Sequence, residues 1–220
     1  MMKAPIKVLT MLATAAAACA TAPARAEQGP WQVRLRAVYL SPANKSDPIA
    51  ALAVPKDAIH IDSRMLPDFN LEYFFASNWS AELVLTYPQS QTVTVRQSAL
   101  GGPTDIGGFK HLPPTLTLKY NFMPDGGFRP YVGVGVNLTL LSNIDLAVPT
   151  APTPLRLDLK KTSIGPAVQA GFDLKVADHW FLSADLKWAQ LGTDVRLNGV
   201  KLAKVKVDPL LIGIGVGYRW

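Results

Sequence analysis

Apolar and polar residues alternate with a period of two along much of this chain. In the segment that starts at Trp31, one face carries Trp31, Val33, Leu35, Ala37 and Tyr39, and the other carries Gln32, Arg34, Arg36 and Val38. Successive side chains of a β-strand point to opposite faces of its sheet, so this period predicts a strand. The same alternation recurs near residues 65–73, 79–87, 112–122, 131–138, 164–174, 180–188 and 210–220. The sequence therefore predicts eight strands.

The ends of the apolar faces indicate which solvent those faces meet. A secreted sandwich or lipocalin-like barrel turns its apolar residues inward, whereas an outer-membrane barrel turns them toward lipid. Aromatic residues recur at the ends of the apolar faces, as in an interfacial girdle: Trp31, Tyr39, Tyr73, Trp79, Tyr87, Trp180, Trp188, Tyr218 and Trp220. This placement favours the membrane barrel.

The lengths of the connections support the same interpretation. Residues 75–79, 123–129 and 175–179 are expected to form tight turns, while 41–60, 88–110, 139–160 and 190–205 are expected to form long loops. Outer-membrane barrels combine short periplasmic turns with longer external loops. The predicted fold class is all-β: a transmembrane antiparallel up-and-down β-barrel of eight strands.

The N-terminus has the features of an export signal. Lys3 and Lys7 precede an apolar stretch, and Ala24-Arg25-Ala26 follows it, which together describe a cleaved secretory signal peptide. We therefore predict a signal peptide at 1–26 and a barrel domain at 27–220. Removing residues 1–26 lowers the net charge from +6 to +3 and removes the sole cysteine, Cys19. No basic footprint for nucleic acid remains, so nucleic acid is not an expected partner.

The inward faces carry ionisable residues of both signs. Five bases and five acids are expected inside the barrel as an interior charge network: Arg34, Arg36, Asp68, Glu72, Glu82, Lys119, Asp173, Asp185, Lys187 and Arg219. Unpaired charges in a low-dielectric interior are costly, so these residues are expected to pair with one another.

The sequence offers little for catalysis or metal binding. The three histidines, His60, His111 and His179, fall in different segments without a metal-ligand spacing. A clustered Ser, His and acid cannot be assembled either. We expect no enzymatic activity, no catalytic residues, no metal site and no cofactor.

Several longer motifs resemble a known family. They are Val33–Pro42 (VRLRAVYLSP), His111–Leu116 (HLPPTL), Arg129–Asn137 (RPYVGVGVN), Asp208-Pro209 and Gly217–Trp220 (GYRW). Over nearly the whole mature length, the chain resembles the outer-membrane protein W family, which includes related alkane-uptake proteins. The family more commonly ends in Phe. Here Tyr218 and Trp220 keep an aromatic end that resembles the signal read by the barrel-assembly machinery, an expected partner.

The resemblance implies a location and a function. It implies an eight-stranded barrel in the bacterial outer membrane, in contact with outer-membrane lipid. It also implies a porin-like channel for passive uptake of small hydrophobic molecules, with sideways release into the membrane. The alternative is a structural or adhesive barrel that acts through its external loops.

The positions of the prolines indicate where a solute would leave such a barrel. Proline cannot donate a ladder hydrogen bond, so strand pairing is expected to be weakest near Pro113 and Pro114, and bulges or gaps are expected near other strand prolines. The candidate lateral exit is His111, Leu112, Pro113 and Pro114. The candidate apolar lining is Leu52 and Val54, from the neighbouring long loop at 41–60.

Overall fold

A computed structural model describes residues 29–98, 101–149 and 153–220. The predicted signal peptide, residues 1–26, lies outside the described residues. No helix in these ranges is long and apolar enough to cross a membrane. The strands are β1 (Trp31–Ser41), β2 (Lys45–Ser46), β3 (Ile59–Ile61), β4 (Arg64–Phe74), β5 (Trp79–Leu85), β6 (Gln89–Val95), β7 (Thr104–Leu112), β8 (Thr115–Asn121), β9 (Phe128–Val148), β10 (Leu155–Leu159), β11 (Thr162–Lys175), β12 (Trp180–Ala189), β13 (Gly192–Leu197), β14 (Val200–Lys206) and β15 (Leu210–Arg219), with a short 3-10 helix at Ala50–Leu52.

Eight long strands close into a barrel, which confirms the predicted fold class. They pair antiparallel in the order β1, β4, β5, β8, β9, β11, β12 and β15, and β15 pairs with β1 to complete the circle. The first and last strands close the seam, and Trp31 and Trp220 exchange backbone hydrogen bonds of 3.2 and 2.9 Å there. A closed barrel leaves no unpaired edge, as a membrane span requires.

The predicted register of the faces is also confirmed. Outward residues such as Leu35, Val134 and Ile214 are 59%, 62% and 62% exposed, whereas the inward residues Glu72 and Glu82 are fully buried. An apolar face exposed to this extent is explained by contact with lipid. We call this part of the molecule the lower barrel.

The four connections predicted as long loops instead contain seven strands. These strands, β2, β3, β6, β7, β10, β13 and β14, join the upper part of β9 (141–148) and continue the sheet beyond the lower barrel. Their alternation has the opposite polarity: Val93 and Val95 are buried inside, while Ser90 and Thr92 are exposed outside. We call this part the upper wall. It lies on the side of the long connections, which is the external side of outer-membrane barrels.

The strand prolines behave in two ways. At Pro130 and Pro166 the ladder between β9 and β11 continues in unbroken register, so no bulge forms where one was expected. Pro130 lies one residue beyond the last pair between β9 and β8, and Pro166 lies one residue beyond the last pair between β11 and β12. On those sides the ladder does not need a backbone N–H from the proline. Pairing does lapse beside Pro67 and at Pro113–Pro114, as described below.

Candidate functional site

The centre of the lower barrel is filled by charged side chains that contact one another. Arg34, from β1, donates to the carboxylates of Glu72 on β4 and Glu82 on β5, the latter at 3.0 Å. The same guanidinium reaches Asp173 on β11 at 2.5 Å. These strands come from distant parts of the chain, and the barrel closure brings their inward residues together.

Further ion pairs extend this cluster. Lys119 Nζ lies 3.0 Å from Glu72 and 3.3 Å from Glu82, and Lys187 Nζ lies 3.2 Å from Glu82. Arg36 binds Asp68 through two hydrogen bonds of 3.0 and 2.8 Å and contacts Asp185 at 2.5 Å. The structure thus places all ten residues of the expected interior network in the barrel, nine of them in ion pairs. We call these nine residues the charge floor.

Arg219, the tenth residue, lies apart at the periplasmic end. Its Nε donates to the Gly29 carbonyl at 2.9 Å, and its guanidinium carbon lies 3.7 Å from the centre of the Phe74 ring. Arg129 lies over Phe181 in a similar way, at 4.7 Å. Both rings are almost fully buried. Below the charge floor, therefore, a second layer of side chains fills the barrel.

An apolar cavity lies directly above the charge floor. This lower chamber has a volume of about 60 Å³, and Arg36, Asp68, Asp185 and Lys187 form its base. Most of its walls are apolar: Val38, Leu40, Ile61, Leu66, Val84, Phe109, Leu141, Leu191, Val207 and Leu211. His111 and Pro113, from the candidate exit, also line it.

A second apolar cavity lies inside the upper wall. This upper chamber has a volume of about 250 Å³ and shares Ile61 and Phe109 with the lower chamber. Leu52 and Val54, the expected apolar lining, are part of its wall. The rest is almost entirely aliphatic: Ile49, Ile59, Val93, Val95, Ile106, Leu146, Val148, Leu157, Leu159, Val195 and Val205. Two adjoining apolar chambers therefore lead from the external end down to the charge floor.

The barrel wall has a gap in strand pairing next to the lower chamber. Pairing of β4 with β5 ends at Phe69–Leu85, and pairing of β3 with β6 resumes only at Ile61–Val93. Pro67 lies in this interval, and a side-chain hydrogen bond of 3.4 Å from Thr86 to its carbonyl crosses it. We call this interval, between residues 62–68 and 86–92, the wall gap.

The lower part of the wall gap, beside Met65 and Tyr87, opens toward lipid. Met65 and Tyr87 flank it on the outside and are 60% and 55% exposed, and Leu66 and Thr86 line the lower chamber on the inside. An opening here would connect the apolar chamber with the upper part of the membrane.

The candidate exit at 111–114 lies one strand further round the wall. His111 is buried, Leu112 is half-buried on the outer face, and Pro114 is buried. The break between β7 and β8 spans Pro113 and Pro114, but Leu138 of β9 still donates to the Pro114 carbonyl at 3.0 Å. The interruption on this side is therefore shorter than the wall gap.

The upper chamber and the wall gap were missed by the sequence reasoning. The inward residues of β6 are Gln89, Gln91, Val93 and Val95, of which only the two valines are apolar, so the sequence alone predicts a long loop at 88–110. Asn198-Gly199 forms the turn of the β13–β14 hairpin, with φ of 50° and 83°. Asn-Gly between alternating segments is a strong hairpin signal and would have revealed these two strands.

The structure contains few groupings suited to metal chemistry. Across 29–98, 101–149 and 153–220, no three His, Cys, Asp or Glu residues are grouped so that they could hold a metal ion.

The closed barrel with an outward apolar band defines this protein as an outer-membrane β-barrel. The model of the OmpW family matches residues 27–220, and the chain belongs to this family. It resides in the bacterial outer membrane. Barrels of this family are generally not enzymes.

Two relatives match over nearly their full lengths. The chain is 31% identical over 212 residues to outer membrane protein W of Vibrio cholerae, covering 93% of this chain and 95% of that one. It is 27% identical over 206 residues to the dibenzothiophene metabolism operon protein PahQ of Pseudomonas aeruginosa, covering 92% and 94%. The crystal structure of OprG from Pseudomonas aeruginosa superimposes with a TM-score of 0.73 at 26% identity, covering 90% of this chain and 99% of that one.

Proposed function

We propose that this protein is a passive channel for small hydrophobic molecules, which enter the upper chamber from outside and leave sideways through the wall gap. The observation that carries the proposal is the pair of apolar chambers, which end on a charged base beside a lapse in the wall. The upper chamber supplies a binding space for apolar molecules and the gap supplies an exit, while the lower chamber, at about 60 Å³, has to widen as a solute passes from one to the other.

The chemistry of the chambers supports a hydrophobic solute. Removing apolar surface from water is favourable by about 25 cal/mol per Å², so aliphatic walls favour an apolar guest. An apolar cavity of about 150 Å³ can hold benzene. The upper chamber, at about 250 Å³, therefore suits molecules of one or two aromatic rings or a short alkyl chain. A relative named for a dibenzothiophene metabolism operon agrees with this size and class.

The charge floor supports a sideways route. A solute passing straight through would have to separate Arg34, Glu72 and Glu82, which are fully buried and paired. Breaking one partner away from a buried pair typically costs about 3–5 kcal/mol. The wall gap lacks a backbone ladder and offers a lower barrier.

Uptake by intact cells tests the proposal. Cells that express the wild type should accumulate radiolabelled naphthalene faster than cells without the gene. Pro67→Thr introduces a backbone N–H at the wall gap. The new donor should strengthen pairing across the gap and slow this uptake. Pro166→Thr is the matched control, because its strand is paired without a gap, and it should leave uptake unchanged. The folded band on heat-modifiable gels should be equal for both variants.

Other outcomes point elsewhere. If replacing Pro113 with Thr and Pro114 with Val slows uptake and Pro67→Thr does not, the exit lies at 111–114. If deletion of the gene leaves naphthalene uptake unchanged, the channel function is wrong and the barrel acts through its external loops.

A further inference from the structure

A polar groove on the outside of the upper wall is lined by four lysines. It has a volume of about 270 Å³ and lies against β13, β14 and the start of β11. Its charged lining is Lys160, Lys201, Lys204, Lys206, Asp194 and Asp208. We call it the lysine groove. Its lysines lie on the outer face of the strands whose inner face lines the upper chamber, and Thr193 of β13 borders both cavities.

Both acids in the lysine groove are already engaged. Asp194 pairs with Lys201 at 2.8 Å, and Asp208 accepts the backbone N–H of Leu191 at 2.8 Å. Among the described residues, Lys160, Lys204 and Lys206 form no ion pair. The groove therefore presents three ammonium groups that are available to an external anion.

A fourth unpaired lysine stands next to them. Lys45 of β2 is directly opposite Lys206 of β14 in the antiparallel register, and both are exposed. Like charges directly opposite each other in a sheet are destabilising. An anion bound between them would relieve this repulsion.

The position of the lysine groove relative to the lipid bilayer indicates which molecule supplies that anion. Ile164, 70% exposed on the lipid-facing surface, forms part of the groove lining. Lys206, the last residue of β14, precedes the lipid-facing Leu210, the first residue of β15, by four positions, a separation of at most roughly 13 Å. Gln190 of the groove follows Trp188, an interfacial aromatic residue, by two positions. The lysine groove thus lies at the level of the lipid headgroups on the external side.

We propose that the lysine groove binds the phosphate groups of lipopolysaccharide, the phosphorylated glycolipid of the outer leaflet. Lysine binds phosphate as a point charge, and a cluster of lysines beside a membrane is a recognised mode of binding to anionic lipid. The bound lipid would bridge β2 and β14, which otherwise meet through only two residue pairs.

Binding of fluorescent lipopolysaccharide to the purified, folded barrel in nonionic detergent tests this proposal. The Lys204→Gln/Lys206→Gln variant should bind about thirtyfold more weakly than the wild type, because each lysine near an anionic surface contributes about a factor of five. Lys56→Gln/Lys110→Gln removes the same charge from exposed positions outside the groove and should bind as the wild type does. All four side chains are exposed, so both variants should keep the folded gel band.

Two further binding measurements identify the ligand. Dephosphorylated lipopolysaccharide should bind the wild type about as weakly as the intact lipid binds the groove variant. Inorganic phosphate at the same concentration as the lipid should not compete. The proposal is overturned if the groove variant binds like the wild type, if the control loses affinity equally, if dephosphorylation has no effect, or if inorganic phosphate displaces the lipid.

Discussion

The lower barrel and the upper wall are built from one continuous sheet with opposite polarity. In the lower barrel, Ile214 faces out and is 62% exposed, while Glu82 faces in and is fully buried. In the upper wall, Thr92 faces out and is exposed, while Val93 faces in and is 5% exposed. The long strand β9 passes through both regions, and an irregularity at Asn143, with φ of 48°, shifts its alternation by one residue between the buried Leu141 and the buried Leu146.

This difference shows that the period and the polarity of a strand carry separate information. The period of two follows from strand geometry and holds in lipid and in water. The polarity follows from the surrounding solvent, so its reversal marks the outer boundary of the membrane. The reversal also has a functional consequence, because it places an apolar interior directly above a charged one.

The largest expected effect is from breaking the charge floor. Glu82→Gln removes the carboxylate that both Lys119 and Lys187 contact in the wild type. Leaving a buried charge unpaired should lower the free energy of unfolding by about 3–5 kcal/mol. Asp145→Asn in the upper wall is the control. Its pair with Arg156 is exposed, so the change should cost less than about 0.5 kcal/mol. Urea unfolding followed by tryptophan fluorescence measures both, and equal losses would contradict the comparison.

The next effect is expected from a cation placed on the outer face. It should destabilise the lower barrel and leave the stability of the upper wall almost unchanged. Ile214→Arg puts a charge into lipid and should cost about 2–4 kcal/mol if it lies near the midplane of the membrane. Thr92→Arg puts the same side chain into water and should change stability by less than about 0.5 kcal/mol. Folded fractions on heat-modifiable gels across a urea series report the difference. A similar loss at Thr92 would mean that the upper wall is also embedded in lipid.

A pH-dependent effect, spread over several pH units, is expected from His111 in the upper wall. Burial, with a contribution from Arg64, lowers its pKa from 6.5 to about 4. Between these values the unfolded chain binds a proton that the folded barrel does not, so stability falls as the pH falls. The slope should be about 1 kcal/mol per pH unit, and His111→Gln should remove it. Unfolding measured at several pH values from 7 to 4 compares the two proteins, and parallel curves would count against a buried neutral histidine.

The sequence was sufficient to predict the lower barrel because each strand carries its own evidence. Alternation and aromatic ends appear locally, so the inward position of Arg34 or Glu72 follows from neighbouring residues. Their partners do not follow, since Arg34 meets Asp173 across 139 positions of sequence. That contact depends on the order and register of several strands.

The upper wall was missed for a different physical reason. Its strands are short, and register shifts interrupt the pairings of β6 with β7, β7 with β9 and β13 with β14, so their alternation is less regular than that of the lipid-facing strands. Leu52 and Val54 were nevertheless placed in an apolar lining, where the structure also has them. At Pro67 the sequence predicts only a local irregularity in pairing. The length of the wall gap does not follow from the proline, because it depends on where β5 ends and β6 begins.

The most direct test of the central claim is to map where a hydrophobic solute lies inside the barrel. Wild-type protein in lipid nanodiscs would be irradiated with a small naphthyl diazirine, and the labelled inward residues identified by mass spectrometry. The account predicts labels on residues of the chambers and the wall gap, such as Leu66, Val93 and Phe109. It predicts none on Gln32 or Tyr131, which lie at or below the charge floor. Comparable labelling of Gln32 and Leu66 would show that the route runs straight through the lower barrel and would contradict the account.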